Sequence, residues 1–172
     1  MSVFDTIKGR FSVREYQTKP VSDDDLKIIL EAARISQSAK NFQDWKFIVV
    51  RNNTMRQKLA KAAREQRYVA EAPVVIVCCG INTDYIMTCG QHSYYLDVAI
   101  AMDNMILVAH ELGLGTCWLG AFYEDKVKEL LSIPPGQEVR IVGLLTLGYP
   151  AIQAPEKRRK PLEEIIMYER WL

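Results

Sequence analysis

Two clusters of cations stand near opposite ends of this chain: Arg10-Phe11-Ser12-Val13-Arg14 and Lys157-Arg158-Arg159-Lys160. Arg10, Ser12 and Arg14 fall at i, i+2 and i+4. In an extended segment they share one face, so two guanidinium groups and a hydroxyl can converge on one anion. Arginine suits a phosphate because its planar fork makes bidentate, charge-assisted hydrogen bonds. A solvated surface gives the same spacing by chance, and Lys157 to Lys160 reads also as a solvated turn, with a small nucleic-acid patch as the rival. Nucleic acid is the weakest of these readings. The formal net charge is only +1, affinity for a polyanion needs several phosphates neutralised together, and no aromatic residues interleave with the cations as a stacking platform requires.

Between the clusters lie Ser38-Ala39-Lys40-Asn41-Phe42-Gln43-Asp44-Trp45 and Gly113-Leu114-Gly115-Thr116-Cys117-Trp118-Leu119-Gly120. The carboxamides of Asn41 and Gln43 offer donors and acceptors together, which suits the alternating polar edge of a flat heteroaromatic ring. An Asn in a loop also bonds its own backbone readily, and Trp45 leading into a strand is by itself a core residue. The glycines of the second segment allow main-chain amides to approach a flat ligand closely. That segment follows a helix rather than a strand, so it is not a G-x-G-x-x-G dinucleotide fingerprint.

Side-chain catalysts are few. His92 and His110 are the only histidines and no G-x-S-x-G elbow is present. His110, late in an apolar helix, reads as a core or helix-terminus residue. Cys89-Gly-Gln-His92 resembles half of a zinc site with no second half at suitable spacing, so no metal is expected. The four cysteines, Cys78, Cys79, Cys89 and Cys117, read as reduced thiols. A cofactor that carries the hard chemistry accounts for this shortage of acids, bases and nucleophiles.

The elements that must position these residues are legible. Ser22 and Asp25 open an amphipathic helix over 22–35, with Leu26, Ile29, Leu30 and Ala33 at helical spacing. Phe47 to Val50 is a short strand. Residues 54–68 read as a surface helix, and Val74 to Cys79 as a strand buried on both faces. Tyr94 to about Leu112 is apolar on nearly every side, as in a helix central to a core or shared with a partner, and Gly113 suits its C-cap. Residues 124–131 form a short helix stopped by Pro134-Pro135-Gly136, Val139 to Leu147 a last strand, and Pro161 to about Tyr168 a tail helix. Helices alternating with few strands indicate an α+β fold, a small sheet covered by helices.

At 172 residues and 49% apolar composition, one domain over 1–172 is expected, able to bury roughly 70% of its unfolded surface. The N-terminus lacks the basic-then-apolar pattern of a signal peptide, and no apolar run approaches the roughly 20 residues a bilayer requires. A cytoplasmic protein, with no membrane or nucleic-acid partner, is the expectation.

Taken in order, the four motifs resemble the FMN-dependent nitroreductase family, over essentially the whole chain from Phe4 to about Ile166. The resemblance implies an α/β/α sandwich with a small mixed or antiparallel sheet, assembled as an interlocked homodimer with two FMN sites built from both chains. It implies ping-pong hydride transfer, from NADH or NADPH through the flavin N5 to small electron-poor acceptors such as nitroaromatics and quinones. A flavin carrier or sensor without reductase turnover is the alternative. By position, Arg10, Ser12, Arg14, Lys157 and Arg159 hold the phosphate and ribityl chain. Ser38, Ala39 and Asn41 come from the partner chain, Leu119 and Gly120 offer amides near the reactive edge, and Phe11 and Trp118 complete the cofactor-binding set. Asp97 and the apolar helix after it belong to the dimer core. No protein residue is implied as catalytic.

Two positions depart from the family pattern, which usually has proline where Gln37 and Asp44 stand here. The loop is thereby loosened, and Asp44 brings a negative charge close to the ring edge, where it disfavours anionic acceptors. The chain also has little sequence for the additional helices that cover the site in larger members, which favours an open pocket.

Overall fold

The computed structural model describes residues 2–136 and 138–171. Helix α1 (Val3–Gly9) opens with a capping box: Asp5 N donates to Ser2 Oγ at 3.1 Å, and Ser2 N donates to the Asp5 carboxylate at 3.2 Å. Helix α2 (Asp23–Arg34) starts at Ser22, whose hydroxyl accepts from Asp25 N at 3.0 Å, and three aspartates in its first turn complement the helix dipole. Strand β1 (Trp45–Val50) follows, then α3 (Asn53–Ala62) and α4 (Arg67–Glu71). The single helix expected over 54–68 is thus two, because Arg64 and Glu65 adopt left-handed φ values of 57° and 58° and turn the chain. The remaining elements are β2 (Val74–Gly80), α5 (Ser93–Glu111), β3 (Gly115–Leu119), α6 (Glu124–Leu130) and β4 (Arg140–Gly148).

The sheet has the order β1-β2-β4-β3 and every pairing is antiparallel. Strand β2 is buried along its whole length because successive side chains enter different cores. Val74, Ile76 and Cys78 pack with α2 and α5, against Leu26, Ile29, Val98 and Met105. Val75, Val77 and Cys79 pack with α3, α4 and α6, against Leu59, Val69 and Val127. The three layers are helix, sheet, helix, as expected. Burial pushes the Cys78 thiol well above its ordinary value, consistent with an inert core residue. Among the described residues there is no cluster of metal-binding side chains, and no helix is long and apolar enough to cross a membrane.

One further expectation requires correction, and one motif proves to be part of the sheet. The segment from Gly113 to Gly120, read in the sequence for its glycines, contains strand β3. Gly113, at φ 77°, ends α5 as expected, but Thr116 to Leu119 are β-branched, small and aromatic residues that pair with β4. The tail from Pro161 to Tyr168 forms only a 3-10 turn at Leu162–Glu164. Leu162, Ile165, Tyr168 and Trp171 are exposed, and so short a segment has no packing surface on its own chain to stabilise a helix.

Candidate functional site

Arg10 to Arg14 form a strap along the outer edge of β3. Helix α1 stops where Arg10 turns to extended geometry (φ −59°, ψ 146°). Ser12 then pairs with Thr116 in a parallel bridge, and Val13 N donates to Thr116 O at 2.8 Å. Val13 is fully buried, whereas Ser12 and Arg14 are exposed and Arg10 is half-buried. The alternation predicted from spacing therefore holds, with Phe11 and Val13 on the inner side. Tyr16 latches the strap: its hydroxyl donates to Val13 O at 2.9 Å and lies 2.7 Å from Thr146 Oγ1. Burial drives the Tyr16 phenol far above its ordinary pKa, so the latch stays protonated. Sequence reasoning missed Tyr16, although it continues the period-two series Arg10, Ser12, Arg14.

The basic tail comes back to this strap. Lys157 Nζ donates to Lys8 O and Arg10 O, tying the tail to the C-terminal end of α1. Arg159 Nη1 donates to the carbonyl of Arg158 at 2.8 Å. Among the described residues, none of Arg10, Arg14, Lys157 and Arg159 has a carboxylate within 4.0 Å. Desolvation, then the charges of Arg10 and Arg159, lower the Lys157 pKa. Burial, then Lys157 and Arg10, lower that of His110. Arg10, Lys157 and Arg159 thus form a group of mutually repelling cations that an anion would relieve, and their neighbourhood disfavours protonation of His110. An open groove of about 770 Å³ runs beside it, lined by Phe4, Asp5, Ile7, Lys8, Lys157 and Arg159 among others. Arg14 stands beside Tyr68 and Cys117. Its guanidinium carbon lies 5.8 Å from the Tyr68 ring centroid, and it partly offsets the burial that pushes the Tyr68 phenol up to about 12 and raises the Cys117 thiol.

Ser38, Ala39 and Asn41 sit elsewhere, at the N-terminal end of α5. Ala39 N donates to the buried Asp97 carboxylate at 2.9 Å, and Ser38 Oγ accepts from Gln43 N at 3.0 Å. Lys40, Asn41 and Gln43 adopt φ values of 50°, 58° and 57°, left-handed geometry that residues with a Cβ seldom take. Asp44 keeps its negative charge but is fixed in place, since Asn82 Nδ2 donates to its carboxylate at 2.9 Å. Trp45 packs into the core beside α2 and α5, as a strand residue should.

The structure does not bring these two groups together within one chain. Asp97 anchors the Ser38–Asn41 loop, while a Cβ on Gly9 would lie 2.6 Å from His110 Nε2 at the other end of α5. At 1.5 Å per residue, Asp97 and His110 are about 20 Å apart along the helix. The sheet agrees. Trp45 is opposite Gly80 and Gly80 opposite Arg140, whereas Thr116 is opposite Leu147 and Leu147 opposite Val74, so Trp45 and Thr116 mark diagonal corners. Trp118 is 60% exposed at the β3 edge, Leu119 is buried and Gly120 is exposed.

Comparison with known proteins gives this geometry a context. The family described as "Putative TM nitroreductase" matches residues 2–171. The chain belongs to the nitroreductase family. It is 37% identical, over 99% of its length and 88% of the relative, to a "Putative NADH dehydrogenase/NAD(P)H nitroreductase" of Methanothermobacter thermautotrophicus. The crystal structure of a nitroreductase family protein from Clostridium difficile 630 superposes with a TM-score of 0.88 at 32% identity, covering 99% of this chain and 100% of that one. The NADPH:FMN oxidoreductase of Vibrio harveyi, solved in complex with NAD+, superposes at 0.89 with 25% identity, covering 99% of this chain and 78% of that one. The nitroreductase-like α+β fold of this chain therefore has its four-stranded sheet in fully antiparallel form.

Proposed function

We propose that this nitroreductase-family chain is an FMN-dependent NAD(P)H oxidoreductase for small electron-poor acceptors, nitroaromatics and quinones among them, working as a homodimer of one-domain chains. The observation that carries the reading is the carboxylate-free group of Arg10, Lys157 and Arg159 beside the strap. Its chemistry fits the FMN phosphate: planar guanidinium forks for the oxygens and an ammonium that fixes the tail in place. Ser12, exposed on the same strap, would offer its hydroxyl to the ribityl chain. Bound FMN supplies hydride acceptance and donation at one flat ring system, which suits a ping-pong exchange between NADH or NADPH and an acceptor. The chain's contribution is to hold that ring, expose one of its faces and exclude competing reactions.

The separation of the two residue groups supports a shared site. A partner packed antiparallel along α5 would bring its own Ser38, Ala39 and Asn41 to the strap of the first chain. Helix α5 offers the surface for this: Tyr95 and Leu96 are exposed, and Ile100 and Leu107 are half-buried. Exposed Phe4, Ile28 and Ile35 and the apolar tail extend it. An obligate interface of roughly 2,000–5,000 Å² is expected for such a partner.

One anaerobic experiment tests both statements. The FMN-loaded protein should scatter light as a dimer, and its visible flavin absorbance should bleach on addition of NADH or NADPH. A monomer retaining FMN would defeat the shared site. A dimer bleached by neither nucleotide would favour the carrier or sensor.

A further inference from the structure

The Ser38–Trp45 loop carries a feature that cofactor binding does not use. Lys40 Nζ stands 4.8 Å from the Tyr85 ring centroid and 5.8 Å from that of Phe42. The two rings meet edge to face, with centroids 5.1 Å apart and planes at 85°. Phe42 is exposed, Tyr85 half-buried and Lys40 exposed. The result is a cation held over an accessible aromatic shelf.

An exposed lysine resting on a ring is common surface decoration, but the backbone beneath this one argues for more. Lys40, Asn41 and Gln43 are all left-handed, a conformation that crowds a Cβ against the following carbonyl oxygen. It is maintained by a dense set of bonds. Asn41 N donates to Ser38 O and Phe42 N to Ala39 O, both at 3.0 Å, and Gln43 Nε2 donates to Asn41 O at 3.1 Å. Ala39 N and Ser38 Oγ hold the loop's start, on Asp97 and Gln43 N. Strain that the surroundings over-determine points to function. Here its effect is to aim the Lys40 side chain at Phe42 and Tyr85.

Lys40 is the cation seated on the ring pair, and the carboxylates of its neighbourhood are engaged elsewhere or stand apart from it. Asp97 is buried and accepts from Ala39 N, and the Asp44 carboxylate accepts from Asn82. Asp84, next to Tyr85 in sequence, is exposed and opposes it. No carboxylate among the described residues lies within 4.0 Å of Lys40 Nζ.

We infer that Lys40, held over the Phe42–Tyr85 ring pair, sets the charge preference of the acceptor site in favour of flat aromatic molecules bearing a carboxylate or sulfonate over neutral ones of the same shape. The rings supply a stacking surface and the ammonium an opposite charge for the substituent. This rests on the reading of Ser38 to Asn41 as part of the flavin site. It reverses the direction expected from Asp44 in the sequence.

The test is calorimetric and needs no turnover. Naphthalenesulfonate and the neutral naphthalenesulfonamide are titrated, at low ionic strength where charges are least screened, into oxidised FMN-loaded protein, or into the protein as purified if it takes up no FMN. Wild type should favour the sulfonate. Lys40→Gln should reduce the sulfonate-to-sulfonamide affinity ratio about fivefold, Lys40→Glu about tenfold or more, and Lys40→Arg should retain it. Lys58→Gln, which removes a charge from the exposed face of α3, should leave the ratio unchanged. Thermal melting identifies any variant that fails to fold, and Lys40→Gln and Lys40→Arg still decide the matter if Lys40→Glu does. Equal wild-type affinities, or a ratio unmoved by loss of the Lys40 charge, would overturn the inference. So would a ratio that responds to Asp44→Asn and not to Lys40. A protein that binds the sulfonate selectively through Lys40 but is bleached by neither nucleotide would count against the reductase alone.

Discussion

Replacing Arg10 and Arg159 together by alanine is expected to weaken FMN binding about a hundredfold or more, and to change riboflavin affinity by no more than about twofold. A hydrogen bond to a charged group contributes about 1.5–3 kcal/mol, and 1.4 kcal/mol is a factor of ten, so each guanidinium lost from the phosphate should cost about tenfold or more. The two belong to one group because Lys157 feels both charges and no carboxylate of the described residues neutralises either. Arg14 is the contrast. It stands by Tyr68 and Cys117, so Arg14→Ala should discriminate less between the two flavins than either change in the phosphate group. Fluorescence titration of each variant with FMN and with riboflavin measures this directly. Equal losses for both flavins in the double variant would remove Arg10 and Arg159 from the phosphate.

Gly115→Ala should destabilise the fold and weaken FMN binding at the same time. A Cβ at Gly115 would lie 2.4 Å from Val13 Cγ2 and 2.9 Å from Pro150 Cγ. Val13 is fully buried and β-branched, so it has little rotamer freedom with which to move aside. Overpacking of this kind costs about 1–3 kcal/mol, or a fall of about 2–12 °C in Tm for a chain of this size. The strap would be levered off β3, breaking the bond from Val13 N to Thr116 O and displacing Arg10 from the group with Lys157. Gly120→Ala is a suitable stability control, because its Cβ would meet only Trp118 Cζ3, at 3.8 Å. Calorimetric melting with and without FMN checks both effects. A Gly115→Ala protein that melts as wild type would show that the strap yields easily and does not fix the phosphate group.

Some of this was legible in the residues alone. Periodicity placed α2, β1, β2, α5 and β4 because each has an uninterrupted apolar pattern and local stops, such as Ser22 at the start of α2 and Gly113 after α5. The alternation of Arg10, Ser12 and Arg14 against Phe11 and Val13 was visible for the same reason: side-chain direction in an extended segment is a local property. What failed depended on long-range context. The break at Arg64 and Glu65 rests on left-handed backbone that no glycine announced. Strand β3 is too short and too closely flanked by glycines to announce itself, and its pairing with β4 is what defines it. The tail lacked any surface against which a helix could form.

The candidate site divides along the same line. Sequence determined its chemistry: two arginines, a serine and a distant basic tail suited to an anion, and a polar loop suited to a ring edge. Only tertiary structure decided the grouping. It joined Lys157 to the end of α1, assigned Arg14 to Tyr68, and tied Asp44 to Asn82. It also held Ser38 to Asn41 at the far end of α5 from Arg10. These are contacts between residues far apart in the chain, which no local pattern encodes. They arise because the two cores fix where each helix end and strand edge must lie.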